Sequence, residues 1–340
     1  SNVNTITTHP TTPNTLFIAL SGTINIATGT SGGKYPNLTT AISAYNTIHK
    51  TTAGGIPICG NVTFSLLSSY PAVTETVPMT IAAISNASNY TLTIKPATGT
   101  SPVITGSNTG GLLVLNGADY VVIDGSNTVG GTTRNLSITN TSATTNATAV
   151  LLTSAGTGAG ATFNTVKNCN ISTGTGGNST FGISVGSTPG ATGADNDNVT
   201  IQNNAITGAN TAIYAFGTAS ASSGGNNTLV ISGNSITNTT STAVLYGIRA
   251  GNSLNSSIAS NSIALQTSNA SAPVGISIET GFVSSSISEN NITNVNATAT
   301  GGYGGRGITI GTGTTNSALV VSNNFISGVN GSNWNLFSNS

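Results

Sequence analysis

Apolar and polar residues alternate along most of this chain in short runs, and only one stretch keeps helical spacing. Two phrases recur. The first has a β-branched residue at its start, a small polar residue at its fourth position and Ile or Phe near its end. It reads VKNCNIS (166–172), IQNNAIT (201–207), ISGNSIT (231–237), IASNSIA (258–264), ISENNIT (287–293) and VSNNFIS (321–327). The second is a Gly-Ile phrase: FGISV (181–185), TAIYA (211–215), YGIRA (246–250), VGISI (274–278) and RGITI (306–310), with a weaker copy, TAVLL, at 148–152. The fourth positions of the first phrase are Cys169, Asn204, Asn234, Asn261, Asn290 and Asn324, separated by 35, 30, 27, 29 and 34 residues. A loose period of this length built from strand-like runs predicts an all-β solenoid, in which stacked coils bury what no single coil can.

Strand alternation makes further assignments. In FGISV, Phe181, Ile183 and Val185 share one parity and are expected inside, with Ser184 outside. The Asn positions are expected to point inward at a sharp turn. There their amides satisfy turn backbone groups and bond to the next Asn, with Cys169 a small buried thiol at the head of the column. Cys59 is too far from Cys169 in sequence for any pairing to be deduced.

The first third departs from the repeat. Leu38, Ile42, Tyr45 and Ile48 predict a short helix over 36–50 that caps the first coil, because an uncovered solenoid end is an open β edge. Strand-like runs follow at 61–67, 77–84, 91–95, 111–115, 120–124 and 135–139. The organisation expected is an extended segment at 1–31, a solenoid of roughly ten coils over 32–328, and a cap or linker at 329–340. Phe325, Trp334, Leu336 and Phe337 are candidates for covering the far end. The opening, SNVNTITTHP, has neither a basic region nor an apolar core and reads as a processed or excised mature segment.

Charge changes the picture mostly by its scarcity. Charged residues are 4% of the chain and the formal net charge is zero. No basic patch exists to neutralise phosphates, which excludes nucleic acid as an expected partner, and no apolar run is long enough for a transmembrane helix. Solubility rests on Ser, Thr and Asn, which leaves little electrostatic defence against self-association.

The passage from GGKYPNLTTAISAYN (32–46) through GLLVLNGADYVVIDGSN (111–127) to RNLSITN (134–140) resembles right-handed parallel β-helix regions of secreted surface proteins of Bacteroidota. That resemblance implies a right-handed parallel β-helix, an extracellular or cell-surface location, and partnership with the type IX secretion machinery. The opening more distantly resembles the start of pectin-acting β-helix enzymes.

Seven carboxylates bound the search for chemistry: Glu75, Asp119, Asp124, Asp195, Asp197, Glu279 and Glu289. Asp119 and Asp124 are expected as turn residues that hold backbone N–H groups. Asp195 and Asp197, in GADNDNVT, form the one candidate metal site, since closely spaced Asp and Asn in a loop offer oxygen ligands to Ca²⁺; the alternative is an ordinary Asp/Asn turn. No other cofactor is expected. His9 and His49 are expected to be solvated. The outward column Ser184, Tyr214, Arg249, Ser277 and Thr309 places Tyr214 beside Arg249 on an exposed sheet, a natural platform for a sugar ring with donors for its hydroxyls. Its alternative is a Tyr–Arg pair that only stabilises the sheet. Tyr303 and Arg306 form a second candidate pair on a Gly-rich loop.

Three functions are compatible with this reading. The first is a non-catalytic adhesin or passenger module that presents loops to glycans or neighbouring cells. The second is a self-assembling filament or matrix subunit, with NTLFIALSGTINIAT (14–28) available to pair with a neighbour. The third is a polysaccharide lyase or hydrolase, supported by fold analogy alone.

Overall fold

The computed structural model describes residues 20–27, 32–71, 73–174, 179–220, 223–299 and 304–331. The chain winds as a parallel β-solenoid with three faces. The first face stacks ten strands from Gly22–Ile26 to Val320–Ser322. The second runs from Val103–Gly106 to Phe325–Ser327, and the third from Met79–Ala82 to Arg306–Ile310. The second face holds eight strands along its main path and the third face eight in all, so the solenoid has about eight complete turns rather than ten.

Register carries the repeat. Ile171, Ile206, Ile236, Ile263, Ile292 and Ile326 occupy one column of the second face. Ile183, Ile213, Ile248, Ile276 and Ile308 occupy one column of the third. Both columns feed a single continuous core, apart from Ile326, which is exposed on the last coil.

Glycine in the Gly-Ile phrase has a steric reason. A Cβ at Gly182, Gly275 or Gly307 would lie 2.6–2.7 Å from the Cγ2 of Ile206, Ile292 or Ile326 across the interior. Gly182 and Ile183 are therefore both interior, and the parity of the strand shifts between them. Phe181 is turned outward by this shift and joins Tyr214 and Phe216 in an aromatic cluster separate from the core, which corrects the expectation that Phe181 points in.

The corner between the first and second faces carries the amide column. Each Nδ2 of Asn204, Asn234, Asn261 and Asn290 donates to the Oδ1 of the Asn one coil on, at 2.9–3.0 Å. The same Oδ1 accepts the backbone N–H of the preceding coil at 3.0–3.1 Å, including that of Cys169 from Asn204. The second Nδ2 hydrogen reaches a backbone carbonyl, from Val166 for Asn204 to Ile287 for Asn324. Cys169 is fully buried, with burial pushing its thiol pKa up, and Cys59 is exposed; neither forms a disulfide.

Helix α1, Leu38–Ile48, packs on Met79–Ala82 and buries Leu38, Ala41, Ile42 and Tyr45. Asn37 caps its start by accepting the N–H of Thr40 at 3.0 Å. Glu75 adds a carboxylate at the positive end of the helix. It accepts the N–H of Leu38 at 2.7 Å and of Thr39 at 2.8 Å, and the Tyr70 hydroxyl at 2.6 Å. His49 is not solvated as expected. It is buried at the helix C-cap, where Nδ1 donates to the Ile56 carbonyl and Nε2 accepts the Leu20 N–H, so it is neutral and burial holds its pKa below the usual histidine range. His9 lies outside the described residues.

Gly22–Ile26, part of the segment read as free to pair with a neighbour, instead pairs in parallel with Val62–Leu66 of its own chain. At the far end Val320, Val321, Phe325 and Ile326 are 44–61% exposed. Trp334, Leu336 and Phe337 lie outside the described residues.

Candidate functional site

The third corner, where the chain passes from the third face back to the first, stacks differently from the amide corner. One register position just ahead of the first-face strand adopts the left-handed conformation in coil after coil: Tyr120, Phe163, Asn198, Thr228, Asn255 and Ser284, with φ between 47° and 58°. Asn tolerates this region well, whereas bulky side chains do so at a cost of roughly 1–3 kcal/mol. Two consecutive coils nonetheless carry aromatics there. The rings of Tyr120 and Phe163 are parallel with centroids 4.9 Å apart, and Phe163 is 47% exposed.

Beside this pair runs a groove of about 950 Å³, lined by corner residues of five successive coils. It contains Asp119, Asp195 and Asp197 together with Asn116, Thr157 and Thr162, and neither Lys nor Arg lines it. Each carboxylate binds backbone of another coil. Asp119 Oδ1 accepts both the N–H and the hydroxyl of Thr162, each at 2.7 Å. Asp195 accepts the Gly158 N–H at 2.6 Å on Oδ2 and the Gly224 N–H on Oδ1. Asp197 Oδ1 accepts the Asn227 N–H at 2.6 Å. Gly160 must be glycine here, because a Cβ would collide with the Asp195 carbonyl.

Burial raises the pKa of Asp197, the charge of neighbouring Asp195 adds to the rise, and the Asn227 N–H opposes it. Asp195 and Asp197 thus come together as the sequence suggests, yet three of their four oxygens already accept N–H groups. No cluster of three or more His, Cys, Asp or Glu suited to a metal occurs among the described residues.

The Tyr214–Arg249 pair forms in register, but not as an exposed platform. Ser184 is fully buried and its Oγ accepts the Gly190 N–H at 3.2 Å, so the turn at 187–191 covers the column. Tyr214 is 5% exposed, stacked on Phe216 at 4.6 Å and edge-on to Phe181 at 5.7 Å. Arg249 lies 5.2–5.9 Å from the centroids of Tyr214, Phe216 and Tyr246. Its Nε and Nη2 donate to Glu279 at 2.5 and 3.1 Å, a partner that the sequence reading had not paired with it. The ring faces that a sugar needs are occupied, and the arrangement is that of a sheet-stabilising stack. Arg306 is exposed and in register with Val274, in the column of Tyr246 rather than of Arg249. Tyr303 lies outside the described residues.

Asp124 is away from the groove. It accepts the Ser126 N–H at 3.0 Å and the Asn168 Nδ2 at 2.8 Å, and lies 3.4 Å from the Lys167 Nζ. Sequence reasoning missed the Tyr120–Phe163 pair, although a signal existed. Aligning the coils by first-face register puts aromatics at Tyr120 and Phe163 where the next four coils carry small polar residues.

No protein-family model matches the chain, and no curated protein matches it in sequence. Among solved structures it is similar to an alginate lyase from Paenibacillus sp. str. FPU-7, at 16% identity and a TM-score of 0.41, covering 88% of this chain and 99% of that one. It is also similar to the pectin methylesterase from Aspergillus niger in deglycosylated form, at 12% identity and a TM-score of 0.29, covering 91% and 87%. Both likenesses are too low to carry a function across.

Proposed function

We propose that this chain is an extracellular β-helix protein that engages polysaccharide through the third-corner groove. The observation that carries the reading is the groove itself: an elongated channel crossing five coils, lined by carboxylates, hydroxyls and amides, beside a stacked aromatic pair of which Phe163 is exposed. Sugar hydroxyls need such acceptors and donors, and sugar rings need an apolar face. Binding to a glycan array, followed by affinity electrophoresis of the Asp197→Asn variant on the best polymer, tests it. About tenfold weaker binding by a variant of unchanged Tm is expected, the loss of one charge-assisted hydrogen bond. Unchanged affinity would place binding elsewhere.

A second reading, hydrolysis of a glycosidic bond, is favoured by one feature. Asp197 has the raised pKa of a general acid, next to a carboxylate held by two backbone N–H groups. Reducing-end release is then expected to fall as pH rises through the raised pKa of Asp197, and to vanish in Asp197→Asn while polymer is still retained. Retention with no turnover by the native chain supports the adhesin or passenger role instead. Export by type IX machinery rests on a resemblance that covers roughly residues 32–328, and a cell-retained protein in a host lacking that machinery is its expected signature.

A further inference from the structure

Resting on the polysaccharide reading, the geometry points to one class of ligand: we infer that the groove takes an uncharged polysaccharide, laid along the solenoid axis, with one sugar ring against the Tyr120–Phe163 pair. Three observations combine. The groove contains three of the chain's seven carboxylates and neither Lys nor Arg. A uronic acid or sulfated chain entering it meets like charge with no cation among the lining residues, in a site partly withdrawn from water.

The carboxylates are not bare anions awaiting ammonium groups either. Asp119, Asp195 and Asp197 each accept one or two N–H or O–H groups of the protein. Burial of Asp197 further disfavours its charged form. Asp119 Oδ2 and Asp197 Oδ2, which accept no hydrogen bond from a described residue, remain as acceptors for sugar hydroxyls. Thr157 and Thr162 bring uncharged hydroxyls to the same lining.

Third, the stacked pair sits one residue beyond Asp119 and Thr162, both of which line the groove. Tyr120 and Phe163 hold a backbone region that costs bulky residues energy, where neighbouring coils use Asn198 and Asn255. The apolar C–H face of a pyranose matches the exposed surface of Phe163. Successive coils, about 4.8 Å apart, repeat acceptor positions along the axis, so an extended chain follows the groove over roughly 20 Å.

Isothermal titration calorimetry of the full chain tests this with four probe sets. These are soluble neutral polymers (β-glucan, xylan, mannan and an α-glucan), alginate, polygalacturonate and chitosan oligosaccharide, each at low and high salt. The variant is Phe163→Asn, which installs the residue that other coils carry and keeps the fold. The inference expects a neutral polymer to bind with little salt dependence, and Phe163→Asn to weaken it by roughly tenfold, the loss of one aromatic contact. Tighter binding of alginate or polygalacturonate overturns the ligand class while leaving the polysaccharide reading intact. Binding of chitosan alone, lost at high salt, does the same. Neutral binding untouched by Phe163→Asn overturns the placement on the aromatic pair. No binding to any probe overturns the polysaccharide reading itself.

Discussion

At the scale of single residues, the Asn column shows why one side chain recurs while its surroundings drift. Asn261 donates two hydrogen bonds through Nδ2 and accepts two through Oδ1, all buried. Only a primary amide offers two donors and a two-lone-pair acceptor in that space. Asn261→Ala leaves the Asn234 N–H and one of its two Nδ2 hydrogens without acceptors and removes a donor from the Ile231 carbonyl. A loss of about 3 kcal/mol is expected, read as a shift of the urea midpoint. Cys169 shows the limit of the rule: with no amide of its own to offer, it only receives the column through its backbone N–H. The Asp–backbone bonds at the third corner follow the same logic on the outside of the coil, where an oxygen left over can face a ligand.

At the scale of elements, periodicity was enough to reveal strands, the cap helix and the amide corner, because each is written by side chains in fixed register. The sheet face bearing Tyr214 was misjudged for a physical reason. Parity assumes regular alternation, and two adjacent interior positions, Gly182 and Ile183, break it. Burial of that face also depends on the turn at 187–191, whose path no local pattern encodes. The third-corner groove was out of reach because its carboxylates come from separate coils, with Asp119 far in sequence from Asp195 and Asp197.

The cap element carries a pH dependence. His49 is neutral in the fold, with its pKa lowered by burial, while in the unfolded chain it titrates near 6.5. The unfolded chain therefore binds more protons below that pH. The stabilisation that His49 provides is complete above about 6.5 and is lost as pH falls toward the lowered folded value. Hydrogen exchange of α1 and of the Leu20 amide is expected to accelerate between neutral and mildly acidic pH. His49→Gln is expected to flatten that dependence, and an unchanged slope would assign it to other groups.

At the scale of the whole molecule, the ends differ. Helix α1 packs on the early coils, while the last coil exposes Val320, Val321, Phe325 and Ile326 along strands that end their sheets among the described residues. The last coil of the rod, which is about 45 Å long for ten first-face strands, thus presents an apolar patch among the described residues. Association through that end closes at two rods rather than growing into a fibre, since head-to-tail growth needs two complementary ends. Sedimentation velocity is expected to show concentration-dependent pairs that Val320→Lys with Phe325→Lys removes. Long fibres would restore the filament reading.

The central claim is the location of the polysaccharide site, and hydroxyl-radical footprinting of the full chain with its best-binding glycan tests it most directly. Phe163 and Phe325 are both exposed aromatics, at 47% and 61%, the first beside a middle coil and the second on the last. The account predicts that saturating glycan shields Phe163 and Tyr120 from oxidation and leaves Phe325 unchanged. Glycan that shields residues around Arg249 or Arg306, with Phe163 oxidised as fast as before, would contradict it.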